Sequence, residues 1–192
     1  MSIRLSEIHP AVVHFPLALV PIAVGSDTFA RVTGMRELRT IGKWSIVGAA
    51  ISASVAGIFG LIAQEEVTLD EEGEKVLKTH RALNVGLLGA LAAMATVRVN
   101  RNKPSLAYLI AGASALALMG VSAYLGGKLV YDFGAGVKHT RGIGPTDAEV
   151  TPRTSLRAAS QAAKDLGRGV KHAAEDVKNG DILPALKKWR WS

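Results

Sequence analysis

Four long apolar stretches, Ala11–Ala30, Trp44–Ala63, Ala82–Val99 and Leu106–Val130, dominate the first 130 residues of this chain. Each is about the 17–25 residues that a helix needs to cross a bilayer core. The second holds no charged residue at all, and the fourth none from Leu106 to Gly127. A water-soluble helix of such length would carry a polar face, and these do not. The expected fold is all-α, an integral-membrane four-helix bundle over residues 1–137. Residues 138–192 then form a linker and a basic amphipathic helical tail.

The first stretch does not read as a cleaved signal. Its one early basic residue, Arg4, has Glu7 close by, and "VGSDTFARV" puts Asp27 and Phe29 where small residues belong. With no cysteine in the chain, disulfides, thiolate ligands and c-type haem attachment are excluded.

Charge orients the spans. The connector "RVTGMRELRTIGK" carries Arg31, Arg36, Arg39 and Lys43 against Glu37, and "RVNRNKP" carries Arg98, Arg101 and Lys103. The middle connector holds Glu65, Glu66, Asp70, Glu71, Glu72 and Glu74. Short basic loops stay cytoplasmic. The expected setting is a bacterial inner membrane crossed several times, with both termini and the acidic connector outside. The tail opposes this count with 11 Lys/Arg and six Asp/Glu, but long segments weigh little in the rule.

That orientation gathers histidines at one face. His9 and His14 open the first span, His80 opens the third and His139 follows the fourth, leaving His172 apart in the tail. Pro10 suits a first helical turn, and Pro16 should break or kink a helix begun there. His80 and Asn84 share a face of the third span one turn apart. Ionisable groups within spans usually face the bundle and mark function. Two imidazoles from facing helices can hold haem b, with the bundle as pocket. His14 and His80 are the expected axial ligands, with His9 as a supporting group or alternative ligand. Asn84 would line the entrance, and Arg81, Arg4 or Lys128 would meet the propionates. Small residues at Gly48, Ser52, Ala56 and Gly60, at Gly86 and Gly89, and at Gly112, Gly120, Gly126 and Gly127 allow close helix packing or a flat macrocycle. Met94 and Met119 read as packing filler.

The pieces "IHPAVVHFPLAL" (8–19), "HRALNVGLL" (80–88) and "YLGGKLVYDFGAGV" (124–137) resemble a bacterial family of inner-membrane proteins, the domain of unknown function twenty-two thirty-one. The resemblance implies a four-span domain, with His9, His14 and His80 at motif positions. Members fused to Rieske or cytochrome c domains suggest electron transfer. Where that family carries a histidine in its glycine-rich motif this chain has Phe133, which removes one candidate ligand.

In the tail, 134–152 reads as a glycine- and proline-rich linker. Leu156, Ala159, Ala163, Leu166, Val170, Ala173 and Val177 then recur at helical spacing among Arg157, Lys164, Arg168 and Lys171. Asn179-Gly180 should end that helix, and Asp181 could cap a short one whose Trp189 and Trp191 suit headgroups. The tail is a basic arm for anionic lipid or an acidic partner, or else a solvated segment. The pI near 9.9 alone does not make a nucleic-acid binder, because no such fold motif accompanies it.

Functionally, this pattern points to a b-type cytochrome-like electron-transfer subunit working with a periplasmic or membrane redox protein rather than a catalyst. A non-redox membrane anchor or scaffold, and a histidine metal site on His14 and His80, are the alternatives.

Overall fold

The computed structural model describes residues 3–136, 149–150 and 155–187, and helices dominate it. In order they are α1 (Leu5–Val12), α2 (His14–Thr33), α3 (Arg36–Ala63), α4 (Glu71–Asn100), α5 (Leu106–Tyr131), α6 (Ser155–Lys178) and α7 (Pro184–Lys187). A 3-10 turn, Gln64–Glu66, follows α3. Two-residue strands, β1 (Ile3–Arg4) and β2 (Glu149–Val150), pair antiparallel with Ile3 opposite Val150. The all-α expectation holds; the second, third and fourth apolar stretches each lie inside one helix, and the first runs from the end of α1 into α2.

Proline sets the break at the start. Pro16 lacks an N–H, and its ring crowds the carbonyl four residues earlier, at Val12. Val12 is where α1 stops, and α2 begins at His14. At the other end of α2, Gly34 takes φ +76° and returns its N–H to the Ala30 carbonyl at 2.9 Å. That left-handed cap suits glycine and lets α3 start two residues later. At α4, the Asp70 carboxylate accepts the Gly73 N–H at 2.8 Å and caps the helix.

The four segments Ile8–Thr33, Arg36–Glu66, Glu71–Asn100 and Leu106–Tyr131 are each long and apolar enough to span a bilayer. Between 17% and 28% of each apolar window is buried within the protein. Phe15, Phe29, Val32, Trp44, Ile51, Leu106 and Ile110 are all exposed. Water would penalise so much contiguous apolar surface, whereas lipid is its natural surrounding.

The chain packs as two compact units. One comprises residues 12–55 and 83–122. Its core joins α2 (Val20, Ala23, Val24), α3 (Ile46, Ala49), α4 (Leu87, Leu91, Met94) and α5 (Tyr108, Ala115, Met119). Met94 and Met119 fill this core, as anticipated. Gly112 takes Val24 and Gly48 takes Leu19, so those glycines serve helix contact. Nothing lies within 4 Å of a Cβ placed on Gly86, Gly89 or Gly120, so the small-residue ladders are only partly packing devices. Four hydroxyls in this unit are satisfied locally: Thr28, Ser52, Ser54 and Thr96 each donate to the carbonyl four residues back, at 2.7–2.9 Å.

The other unit comprises residues 1–11, 56–82 and 123–192. It contains α1, the end of α3, the start of α4, the end of α5, and the described part of the tail. α6 and α7 thus fold together with the helix ends instead of trailing away from them.

Candidate functional site

Three aromatic rings, those of His9, His80 and Phe133, seat against three glycines of residues 56–82 and 123–136. The His9 ring lies where a Cβ on Gly60 would come within 3.0 Å, and the His80 ring where one on Gly126 would come within 3.1 Å. The Phe133 ring sits equally close, 3.0 Å, to a Cβ placed on Gly73. Each glycine therefore makes room for a ring from another element, and two of those rings are imidazoles. The Phe133 position, which the resemblance assigns to a histidine, keeps the ring and loses the nitrogen.

His9 is half-buried, and its Nδ1 lies 2.8 Å from the Ala56 carbonyl. A carbonyl can only accept, so Nδ1 carries the proton, and in the neutral ring Nε2 holds the lone pair. Among the described residues Nε2 has no hydrogen bond. Metal-ligating histidines commonly have their other ring N–H held in this way, by a carbonyl that fixes the tautomer. His80 is half-buried on α4, and Asn84 follows it one turn on, also half-buried. His14, the first residue of α2, is exposed and belongs to the other unit. His139, Trp189 and Trp191 lie outside the described residues.

Arg81 is buried and engaged. It donates to Gln64 Oε1 at 2.6 Å and forms an ion pair with Asp176 of α6. Lys78 reaches Asp176 at 3.6 Å and Asp181 at 3.2 Å, so Asp181 holds a lysine and does not cap the next helix. The Ala185 N–H donates to Thr79 Oγ1 at 2.9 Å. Glu65 accepts from Arg168 and pairs with His172, each at 3.1 Å. His172, set apart by sequence reading, thus joins the acidic connector. Lys128 pairs with Asp132 at 3.4 Å.

The unit built from 12–55 and 83–122 holds a second polar centre that sequence reading missed. Asp27 and Arg98, separated by 71 positions, are 0% and 1% exposed and meet through two hydrogen bonds of 2.8 Å. Arg98 also donates to the Arg101 carbonyl at 2.7 Å and the Arg39 carbonyl at 2.9 Å. Its guanidinium lies 6.0 Å from the Tyr108 ring centroid. Four acceptors and a π-face surround one cation, which is what makes burial tolerable. The signal was present, since Asp27 is the one acid inside an apolar stretch and such a residue needs a partner. Arg98, at the edge of its apolar stretch, reads in sequence as a connector charge.

Gly42 completes this centre, because a Cβ there would fall 2.6 Å from Asp27 Cγ. The carboxylate is pinned by two hydrogen bonds and cannot swing aside. Gly42→Ala is expected to lower stability by about 1–3 kcal/mol, the usual cost of overpacking. Thermal unfolding of the detergent-solubilised protein measures it, and an unchanged midpoint refutes the fit.

Lipid-facing apolar helices, hydroxyls tied to their own carbonyls and charges paired inside define a polytopic α-helical membrane protein. Residues 6–139 match the model of the predicted membrane protein family DUF2231. The chain belongs to that family. No curated protein and no solved structure matches it.

Proposed function

We propose that this membrane protein is a b-type cytochrome-like electron-transfer subunit, with His9 and His80 as the imidazoles that hold haem b. The observation that carries the reading is the His9 geometry, in which a backbone carbonyl fixes Nδ1–H and leaves Nε2 as the basic nitrogen. His80 supplies the second imidazole, on another helix of the same unit. In this role His9 replaces His14, whose ring is exposed at the head of α2.

The residues present fit the group in their chemistry. Among the described residues no three His, Cys, Asp or Glu side chains gather as a metal site, and an iron held in a macrocycle asks the protein for no more than two imidazoles. Bound there, haem b would supply a one-electron couple. The chain's own residues position the ligands: Ala56 orients His9, and Gly60 and Gly126 let each imidazole approach a neighbouring helix. Arg81 is held by a largely buried Asp176, whereas Lys128 pairs with Asp132 in a more exposed contact, so Lys128 is the cation that could turn to propionates. A site at the acidic-connector end would place the couple on the outer side of a bacterial inner membrane, within reach of a periplasmic or membrane redox partner.

The test is the visible spectrum of the detergent-purified protein expressed with haem supply. A Soret band is expected, lost in His80→Ala and lost or shifted in His9→Ala, while His14→Ala keeps it. No band in the parent protein, or one that survives both His9→Ala and His80→Ala, overturns the proposal. A band lost in His14→Ala and kept in His9→Ala returns the ligand role to His14.

A further inference from the structure

Helix α6 repeats every seven residues in three columns, each about 100° round the helix from the one before. Leu156, Ala163, Val170 and Val177 form one, and Arg157, Lys164, Lys171 and Lys178 the next. Ala158, Asp165 and His172 form the third. Seven residues are close to two helical turns, so each column is a stripe along the helix.

The structure turns the first column outward and packs the third, while Leu166 and Ala173 of the apolar face are half-buried. Ala158 and Asp165 are buried, at 1% and 4% exposure, and Gly169 with Asp176 extends this inward face. A Cβ on Gly169 would stand 2.6 Å from the Leu61 carbonyl, so the approach there is close. Asp176 goes to Arg81 and Lys78, and Arg168 and His172 to Glu65. The helix is held by its polar and small residues. Leu156, Val170 and Val177 are left 86%, 53% and 64% exposed, and the four cations of the second stripe are exposed beside them.

The height of attachment says what covers those stripes. Besides its contact with β2, the ion pairs and close approach that hold α6 to the long helices, among the described residues, lie at Leu61–Glu65 of α3 and its turn and at Lys78–Arg81 of α4. The apolar stretches of these two segments end at Ala63 and begin at Ala82. α6 is therefore fastened where hydrocarbon gives way to headgroups. There an apolar stripe can enter the acyl boundary while lysines beside it reach lipid phosphates. Charge agrees. The acids Asp165 and Asp176 are turned inward, and the outward surface keeps Arg157, Lys164, Lys171 and Lys178 against Glu175, which pairs with Lys171 at 3.7 Å.

We propose that α6 is an interfacial helix that seats on anionic phospholipid, locked to the spans by its polar face. Such a helix would couple the ends of α3 and α4 to the lipid composition around them.

Because the chain has no cysteine, single-cysteine variants of the full protein can be labelled at one site. Ala163→Cys, Val170→Cys and Glu175→Cys, each carrying bimane, would be placed in nanodiscs of phosphatidylcholine with or without phosphatidylglycerol, with a lipid nitroxide at shallow depth. Quenching at 163 and 170 is expected to exceed that at 175 by about twofold or more. It should grow with phosphatidylglycerol and fall in a Lys164→Gln/Lys171→Gln background. Hydrogen exchange of the unlabelled protein in the same discs should slow across α6 when anionic lipid is present. Equal quenching at the three sites overturns the proposal, as does indifference to phosphatidylglycerol. Protection of 163 and 170 from both nitroxide and aqueous iodide also overturns it, by assigning the stripe to a second copy or another protein.

Discussion

Arg98→Leu is expected to cost about 3–5 kcal/mol, the range for breaking a buried ion pair by removing one partner. The loss is large because Asp27, at 0% exposure, would keep a carboxylate with no cation near it. The Arg39 and Arg101 carbonyls would lose their donor as well. Asp27→Leu should cost a similar amount, leaving the guanidinium with two carbonyls and the Tyr108 face. The double variant Asp27→Leu/Arg98→Met should be milder than the sum of the singles, because it removes both buried charges together. Unfolding of the purified protein by heat or by added SDS measures all three. A single substitution costing under about 1 kcal/mol would mean that water reaches the pair, and strict additivity would mean that the two residues do not interact.

The second large effect is expected at Arg81. Its side chain is 9% exposed and faces Asp176 at 15%, with Gln64 as a further acceptor. Arg81→Ala would leave Asp176 with Lys78 alone, at 3.6 Å. A loss of about 2–4 kcal/mol in the docking of α6 follows, somewhat below the fully buried case because both groups keep some solvent. Limited proteolysis reads this directly, since Arg157, Lys164, Arg168, Lys171 and Lys178 offer tryptic sites along α6. Cleavage within α6 should accelerate at least about tenfold, as 1.4 kcal/mol already gives that factor. The four spans should keep their helicity by circular dichroism. Unchanged cleavage would assign the hold on α6 to Glu65 and Gly169 instead.

The spans were legible because length and unbroken apolarity leave a helix few alternatives in lipid. So was the interruption between Pro10 and Pro16, which falls at Val13 for a local steric reason. The end of α6 was also local, with Gly180 taking φ +69°. What escaped was every choice of partner across the fold. Asp27 and Arg98 are far apart in sequence, and a charge at the end of an apolar run looks the same whether it turns to water or inward. The ring-on-glycine seats of His9 and His80 depend on helix pairing, which spacing along one helix does not encode. For α6, periodicity located the stripes, but spacing along one helix does not encode which of them meets the helix ends. A bilayer gives apolar side chains a second place to go, so the polar face is free to dock.

The inward turn of Arg98 bears on how the chain is threaded during biogenesis. Topogenic sorting weighs basic residues that stay hydrated while the translocon decides which loops to retain. Once folded, Arg98 is desolvated against Asp27, Lys43 donates to the Val99 carbonyl, and Arg31 donates to that of Pro104. Of the basic residues between the third and fourth apolar stretches, Arg101 and Lys103 are the ones that stay exposed in the folded protein. A connector therefore shows more basic residues to an inserting machinery than it leaves to water once Arg98 has met Asp27.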